Sequence, residues 1–174
     1  AKGVNDFNAE TTPGTGKDGK PITITAKYKE LVGVGLDNSY RASYGQDGST
    51  VIGMQAHSTT PLGVAIGTNS IVRKGAFGAT AIGSGASVVA NAEAAVAIGM
   101  GSEAQGNYAV AAGTAARAAE SAVAVGYSAT ATNASVAVGQ LAKATKVADI
   151  AVGQGAVASG EQGAIAMGLG TQAQ

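Results

Sequence analysis

The sequence predicts an all-β protein built as a parallel solenoid of short repeats, and three observations lead to that prediction. A four-residue phrase of apolar–Ala–apolar–Gly, with Thr once in first place, recurs eight times at short and nearly regular intervals. Glycine numbers 27 in 174 residues, whereas aromatic residues make up only 4%. A second pattern of small residues follows each of these glycines. Because alanine contributes far less burial free energy than Leu or Phe, many small contacts in a regular stack must supply the stability.

The phrase itself predicts the first strand of each repeat. It occupies residues 64–67, 80–83, 96–99, 110–113, 123–126, 136–139, 150–153 and 165–168. Period-2 alternation of β-branched residues bounded by glycine is typical of a strand. The alanine-rich stretches have good helix propensity, but glycine about every 14 residues leaves no segment long enough for a stable helix.

The residues after each glycine predict a second strand. The third position is small and the fifth is Val or Ala, as in Ser102 and Ala104, while the fourth is mostly polar or variable, as in Glu103. This pattern indicates a half-buried strand with one face in water. Each repeat is therefore two short strands and two turns. A weaker copy at residues 50–53 makes nine coils, and ~4.8 Å per stacked strand gives a rod of roughly 40 Å.

The distribution of charge divides the chain into two parts. Twelve of the 22 charged residues lie in the first 47 positions. We therefore expect an irregular, polar amino-terminal segment over residues 1–48 and a repeat array over residues 49–174. Alternation over residues 21–28 predicts one strand in the first part, which also holds Tyr40 and Tyr44. This segment is either a cap on the open end of the solenoid or a receptor-contact surface at its tip.

The fixed alanine of the phrase leads to a prediction about assembly. Strand side chains alternate between faces, so this alanine points away from its β-branched neighbours. If Val and Ile fill the coil, the alanines form an outer face that lacks the polar residues expected in water. That face is then buried against another copy of the chain. The predicted interface residues are Ala65, Ala81, Ala97, Ala111, Ala124, Ala137, Ala151 and Ala166.

These residues resemble the YadA-like head of trimeric autotransporter adhesins of Gram-negative bacteria. The head repeat of that family has a similar length and reads S-V-A-I-G followed by x-x-S-x-A. Residues 95–99 with Ser102 and Ala104 match it closely, as do residues 135–139 with Ala142 and Ala144. The resemblance covers roughly residues 50–174. It implies a left-handed parallel β-roll, a homotrimer, display on the outer surface of the bacterium, and a stalk and carboxy-terminal membrane anchor outside this sequence.

One departure from the family pattern concerns the ligand. The full form N-S-V-A-I-G, associated with collagen binding in one branch of the family, does not occur in this chain. The closest copy, residues 133–139, has an extra alanine and a valine in place of isoleucine. This difference argues against collagen as the ligand.

Composition and motifs exclude most chemical functions. The charges balance at 11 and 11, which gives no basis for binding nucleic acid, and cysteine is absent. Residues 14–20 match the phosphate-loop pattern G-x-x-x-x-G-K, but Pro21 stands where a magnesium-binding Ser or Thr is needed. The single histidine, His57, falls at an outward position. We therefore expect no enzyme activity, no cofactor and no metal.

The resemblance predicts a non-catalytic adhesin head that binds host extracellular-matrix or cell-surface proteins. Exposed aromatic and arginine side chains are common anchors of protein interfaces. The candidate contacts are Tyr40, Tyr44, Arg73, Lys74, Glu103, Tyr108, Arg117, Tyr127, Lys143 and Lys146. Two alternatives remain at this point. A left-handed β-helix acyltransferase would need longer turns of three hexapeptides each, and an ice-binding solenoid would need a regular threonine array.

Overall fold

A computed structural model describes Gly45, residues 48–161 and residues 163–174. Each coil of this part begins with a three-residue strand followed by a two-residue strand, which confirms the all-β parallel solenoid of ~14-residue repeats. The first strands are β1 (Thr50–Ile52), β3 (Val64–Ile66), β5 (Thr80–Ile82), β7 (Val96–Ile98), β9 (Val110–Ala112), β11 (Val123–Val125), β13 (Val136–Val138), β15 (Ile150–Val152) and β17 (Ile165–Met167). The second strands are β2 (His57–Ser58), β4 (Ile71–Val72), β6 (Ser87–Val88), β8 (Glu103–Ala104), β10 (Arg117–Ala118), β12 (Thr130–Ala131), β14 (Lys143–Ala144), β16 (Val157–Ala158) and β18 (Gln172–Ala173).

The strands form two nine-stranded parallel sheets, one from the odd-numbered and one from the even-numbered strands. We call them the first sheet and the second sheet. The register places equivalent repeat positions opposite each other, as in Ala124 beside Ala111 and Ala137. Equivalent side chains therefore stack in straight rows along the rod. The predicted boundary between residues 48 and 49 stays a prediction, because most of residues 1–48 lie outside the described part.

The glycine that closes each phrase makes this stacking possible. These coil glycines are Gly53, Gly67, Gly83, Gly99, Gly113, Gly126, Gly139, Gly153 and Gly168, with φ between 120° and 134°. L-residues avoid that region. A Cβ at Gly126 would also lie 2.5 Å from the carbonyl oxygen of Gly139 in the next coil. The phrase ends in glycine because successive coils approach backbone to backbone at this point.

The interior between the two sheets is lined by the alanines of the phrase, and this corrects the predicted facing of the first strand. Ala65, Ala81, Ala97, Ala111, Ala124, Ala137 and Ala151 are 0% exposed in a single chain, and Ala166 is 3% exposed. Their flanking Val and Ile residues are half-buried or exposed. The prediction that these eight alanines form an outer, intersubunit face is wrong, because a side chain already buried within its own coil cannot contact another chain.

The physical reason lies in the size of the coil. Such short coils enclose only a narrow space between their two strands, so the interior rows hold Ala, Ser and Gly. Val72 and Val88 are the largest fully buried side chains. They occur in the two longest coils of the array, which run from Gly67 to Gly83 and from Gly83 to Gly99. Interior volume and coil length therefore change together, as expected for close packing.

One charged residue lies inside the rod. Asp149 is 0% exposed and occupies an interior position that alanine fills in several other coils. Its Oδ2 accepts a hydrogen bond from the Lys146 amide, and its Oδ1 accepts one from the Ala164 amide in the next coil, both at 2.9 Å. The carboxylate thus links two coils and satisfies two backbone donors. The sequence analysis assigned no role to this residue.

Candidate interaction surfaces

The outer face of the first sheet is an apolar strip. Of its 18 outward positions, only Thr50 and Thr80 are polar. Ile98 is 42% exposed and Val125 is 37% exposed, even though both lie in the middle of the rod. Monomeric proteins rarely expose a contiguous apolar patch of this kind without a partner. In the described residues the strip is therefore the surface best suited to association.

The outer face of the second sheet is polar over most of its length, as the sequence predicted. It carries Glu103, Arg117, Thr130 and Lys143, and Arg73 directly follows β4. Register places Arg117 between Glu103 and Thr130, and Thr130 beside Lys143. The face presents charges of both signs on a rigid, regular ladder.

The closest charge pair on this ladder joins two adjacent coils. Arg117 Nε lies 3.5 Å from Glu103 Oε2, with the two side chains 63% and 33% exposed. Gln105 Nε2 donates to the same carboxylate oxygen at 3.1 Å. Because both partners are in contact with water, the pair orders the surface more than it stabilises the fold.

The two turns of each coil form the remaining edges of the rod, and they differ in character. The first-turn edge consists of the two residues after each coil glycine, and the second-turn edge joins each second strand to the next first strand. Both turns contain a residue in the left-handed region, such as Ala115 (φ 56°) on the first-turn edge and Tyr108 (φ 58°) on the second. The second-turn edge carries Lys74, Glu93, Glu120 and Lys146.

The structure separates the predicted contact residues. Glu103, Arg117 and Lys143 lie on the second sheet, and Arg73 directly follows its strand β4. Lys74, Tyr108 and Lys146 lie on the adjoining second-turn edge, where Tyr108 is 61% exposed. Tyr127, which is 53% exposed, lies on the first-turn edge at the other side of the first sheet. Tyr40 and Tyr44 lie outside the described residues.

Other features of the described part offer little to a small ligand. A shallow depression lies between Lys146 and Glu161 and opens to solvent. Ser135 is 1% exposed, and its hydroxyl donates to the Thr132 carbonyl at 2.7 Å. Within residues 48–161 and 163–174, no group of three or more His, Cys, Asp or Glu side chains is placed to hold a metal ion. No helix in the same ranges has the length and hydropathy to cross a bilayer.

The described geometry defines a class of protein: a parallel β-solenoid with an alanine interior, one apolar outer face and one polar outer face. Residues 133–156 and 144–171 match the model of the YadA head domain repeat as two copies. The array is a YadA-like head domain.

A solved structure supports the same assignment. The chain is similar to the collagen-binding domain of the Yersinia adhesin YadA, with 31% sequence identity and a TM-score of 0.61. The match covers 68% of this chain and 65% of that chain, so the present sequence spans about two thirds of that domain. Comparison with curated proteins gives no match.

Proposed function

We propose that this chain is the non-catalytic head of a bacterial surface adhesin that binds host extracellular-matrix or cell-surface proteins. The observation that carries the proposal is a YadA-like solenoid whose two outer faces differ. One face is apolar and suited to packing against copies of the chain, and the other is polar and suited to contact with a partner in water. The 31% identity to an adhesin domain supports this interpretation.

The chain assembles as a homotrimer, in which the outer face of the first sheet is the contact between copies. Exposed Val and Ile side chains form this face, since the phrase alanines lie inside the coil. Display outside the cell, with a membrane anchor supplied by another part of a longer protein, belongs to the same proposal.

The ligand-binding surface comprises the second sheet and the second-turn edge. Arg117 and Tyr108 are its leading contacts, because Arg and Tyr are enriched among residues that dominate binding energy. Their backbones are held by hydrogen bonds between coils, as in the 2.9 Å bond from the Tyr108 amide to the Glu93 carbonyl. A rigid surface loses little conformational entropy on binding.

Binding of the purified protein to immobilised host matrix proteins and receptor ectodomains tests this function. We expect saturable binding to at least one of them and at least tenfold weaker binding after combined Tyr108→Ala and Arg117→Ala substitution. Ser84→Ala, on the first-turn edge, is the control and is expected to bind normally. Absence of binding across the panel, or equal loss in the control, would contradict the proposal.

The amino-terminal segment and the two alternatives need separate measurements. Combined Tyr40→Ala and Tyr44→Ala substitution weakens binding if residues 1–48 form a contact surface and leaves it unchanged if they form a cap.

We expect no activity towards acyl-CoA, since each coil here holds two strands and lacks the three hexapeptides of an acyltransferase coil. We also expect no thermal hysteresis, because charged and apolar residues interrupt the threonines of the second sheet.

A further inference from the structure

The ten charged residues of the repeat array occupy only part of its surface. They lie on the second sheet, on the second-turn edge or, for Asp149, in the interior: Arg73, Lys74, Glu93, Glu103, Arg117, Glu120, Lys143, Lys146, Asp149 and Glu161. None of them lies on the outer face of the first sheet or on the first-turn edge. These two surfaces adjoin each other, so one charge-free surface extends from the sheet around one edge of the rod.

Exposed apolar side chains continue across this boundary. Ile98 is followed, across its coil glycine, by Met100, which is 61% exposed. Val125 is followed in the same way by Tyr127, at 53%, and the neighbouring coil adds Leu141 at 45%. The Leu141 amide donates to the Tyr127 carbonyl at 2.8 Å, which holds these two turns side by side. Exposed apolar side chains therefore extend from the sheet onto the first-turn edge, where they alternate with neutral polar residues such as Thr114 and Gln140, and the backbone holds them in place.

The area of the first sheet gives a second reason to include the edge. Nine strands spaced ~4.8 Å apart, each about 10 Å long over three residues, form a flat strip with an area on the order of 400 Å². A stable protein–protein interface buries about 800 Å² on each partner. The sheet alone falls short, and the charge-free edge is the adjoining surface that can supply the difference. Depletion of charge is also the compositional mark of an interface core.

We infer that a second copy of this chain covers the first-turn edge as well as the outer face of the first sheet, burying Met100, Ala115, Tyr127 and Leu141. This inference rests on the self-association proposed above. It moves Tyr127 from the ligand-binding surface to the contact between copies. The opposite, second-turn edge stays open to solvent and to a host ligand.

Two alanines provide a matched pair of labelling sites. A cysteine introduced at either position is the only thiol in the protein, because the chain has no cysteine of its own. Ala115 on the first-turn edge and Ala94 on the second-turn edge are both exposed in the single chain, and their φ angles are 56° and 51°. Ala115→Cys and Ala94→Cys are prepared in the full chain, and each thiol is reacted with a maleimide while light scattering reports the mass. We expect the thiol at position 115 to react at least tenfold more slowly than the thiol at position 94.

The outcomes separate this inference from the proposed function. Equal rates in a protein with the mass of three chains would overturn the inference and leave the trimer intact. A monomeric mass for the unsubstituted chain would contradict both. If Ala115→Cys itself prevents assembly, hydroxyl-radical footprinting of the unsubstituted trimer decides, with protection of Tyr127 relative to Tyr108 expected. Equal modification of the two tyrosines would overturn the inference.

Discussion

The two sheets of the rod share one interior but differ on their outer faces. Inside, both contribute rows of alanine with 0% exposure, such as Ala97 and Ala124 from the first sheet and Ala118 from the second. Outside, the first sheet presents Val and Ile, while the second presents Arg, Glu, Lys and Thr. The inner rows are determined by the narrowness of the coil. The outer rows are free of that constraint, so their difference reports what each face contacts.

The largest expected effect comes from placing a charge in the shared interior. Ala97→Lys and Ala124→Lys each insert an unpaired ammonium into a space filled by alanine, so we expect a loss of more than about 4 kcal/mol of folding free energy, or an unfolded chain. Urea denaturation followed by circular dichroism measures the change. Thr130→Lys, on the outer face of the second sheet, is the control and is expected to stay within about 0.5 kcal/mol of the parent. A folded, stable Ala124→Lys variant would contradict the assigned interior.

Glycine substitutions test whether the coils meet backbone to backbone beside the first sheet. Gly126→Ala combines a φ of 128° with a Cβ lying 2.5 Å from the next coil, so we expect a loss of about 3 kcal/mol or more. At Gly155 φ is 65° and a Cβ meets no atom within 4 Å. Gly155→Ala therefore costs about 1 kcal/mol, the ordinary penalty of the left-handed region. Equal melting temperatures for the two variants would argue against the stacked glycines.

Substitution of Asp149 tests whether its buried carboxylate links two coils and stabilises the fold. In Asp149→Asn the amide can accept from only one of the two backbone donors, so the other, which is partly buried, is left without an acceptor, at a cost of about 1–3 kcal/mol. Faster hydrogen exchange at the Ala164 or Lys146 amide should accompany the loss. Glu120→Gln, an exposed acid-to-amide change, should leave both stability and exchange unaltered. Unchanged exchange in Asp149→Asn would show that the carboxylate does not link the coils.

The smallest effect is expected for the exposed pair on the second sheet. Arg117→Ala, Glu103→Ala and the double variant form a cycle whose coupling energy should be roughly 0.2–1 kcal/mol. Because salt screens exposed charges, the coupling should fall further at high ionic strength. A coupling that is large and independent of salt would mean that this face is less solvated than its exposure indicates.

Sequence reasoning predicted the coil number, the two strands per coil and the facing of the second strand. It predicted the wrong facing for the side chains of the first strand, because alternation shows which residues share a face and does not show which face is inside. Large apolar residues were expected inside, as in a globular core. The residues in and beside the second strand already indicated a narrow interior, since their inward positions, such as Ser102 and Ala104, are small. The role of Asp149 could not be read from the sequence, because it depends on backbone amides in two coils.

The measurement that tests the account most directly compares one lysine on each outer face. Val123→Lys places the charge on the first sheet, between Val110 and Val136, and Thr130→Lys places it on the second. Light scattering combined with circular dichroism reports mass and folding together. We predict that Val123→Lys is folded but no longer has the mass of three chains, while Thr130→Lys keeps both. A trimeric Val123→Lys variant together with a dissociated Thr130→Lys variant would contradict the assignment of the two faces.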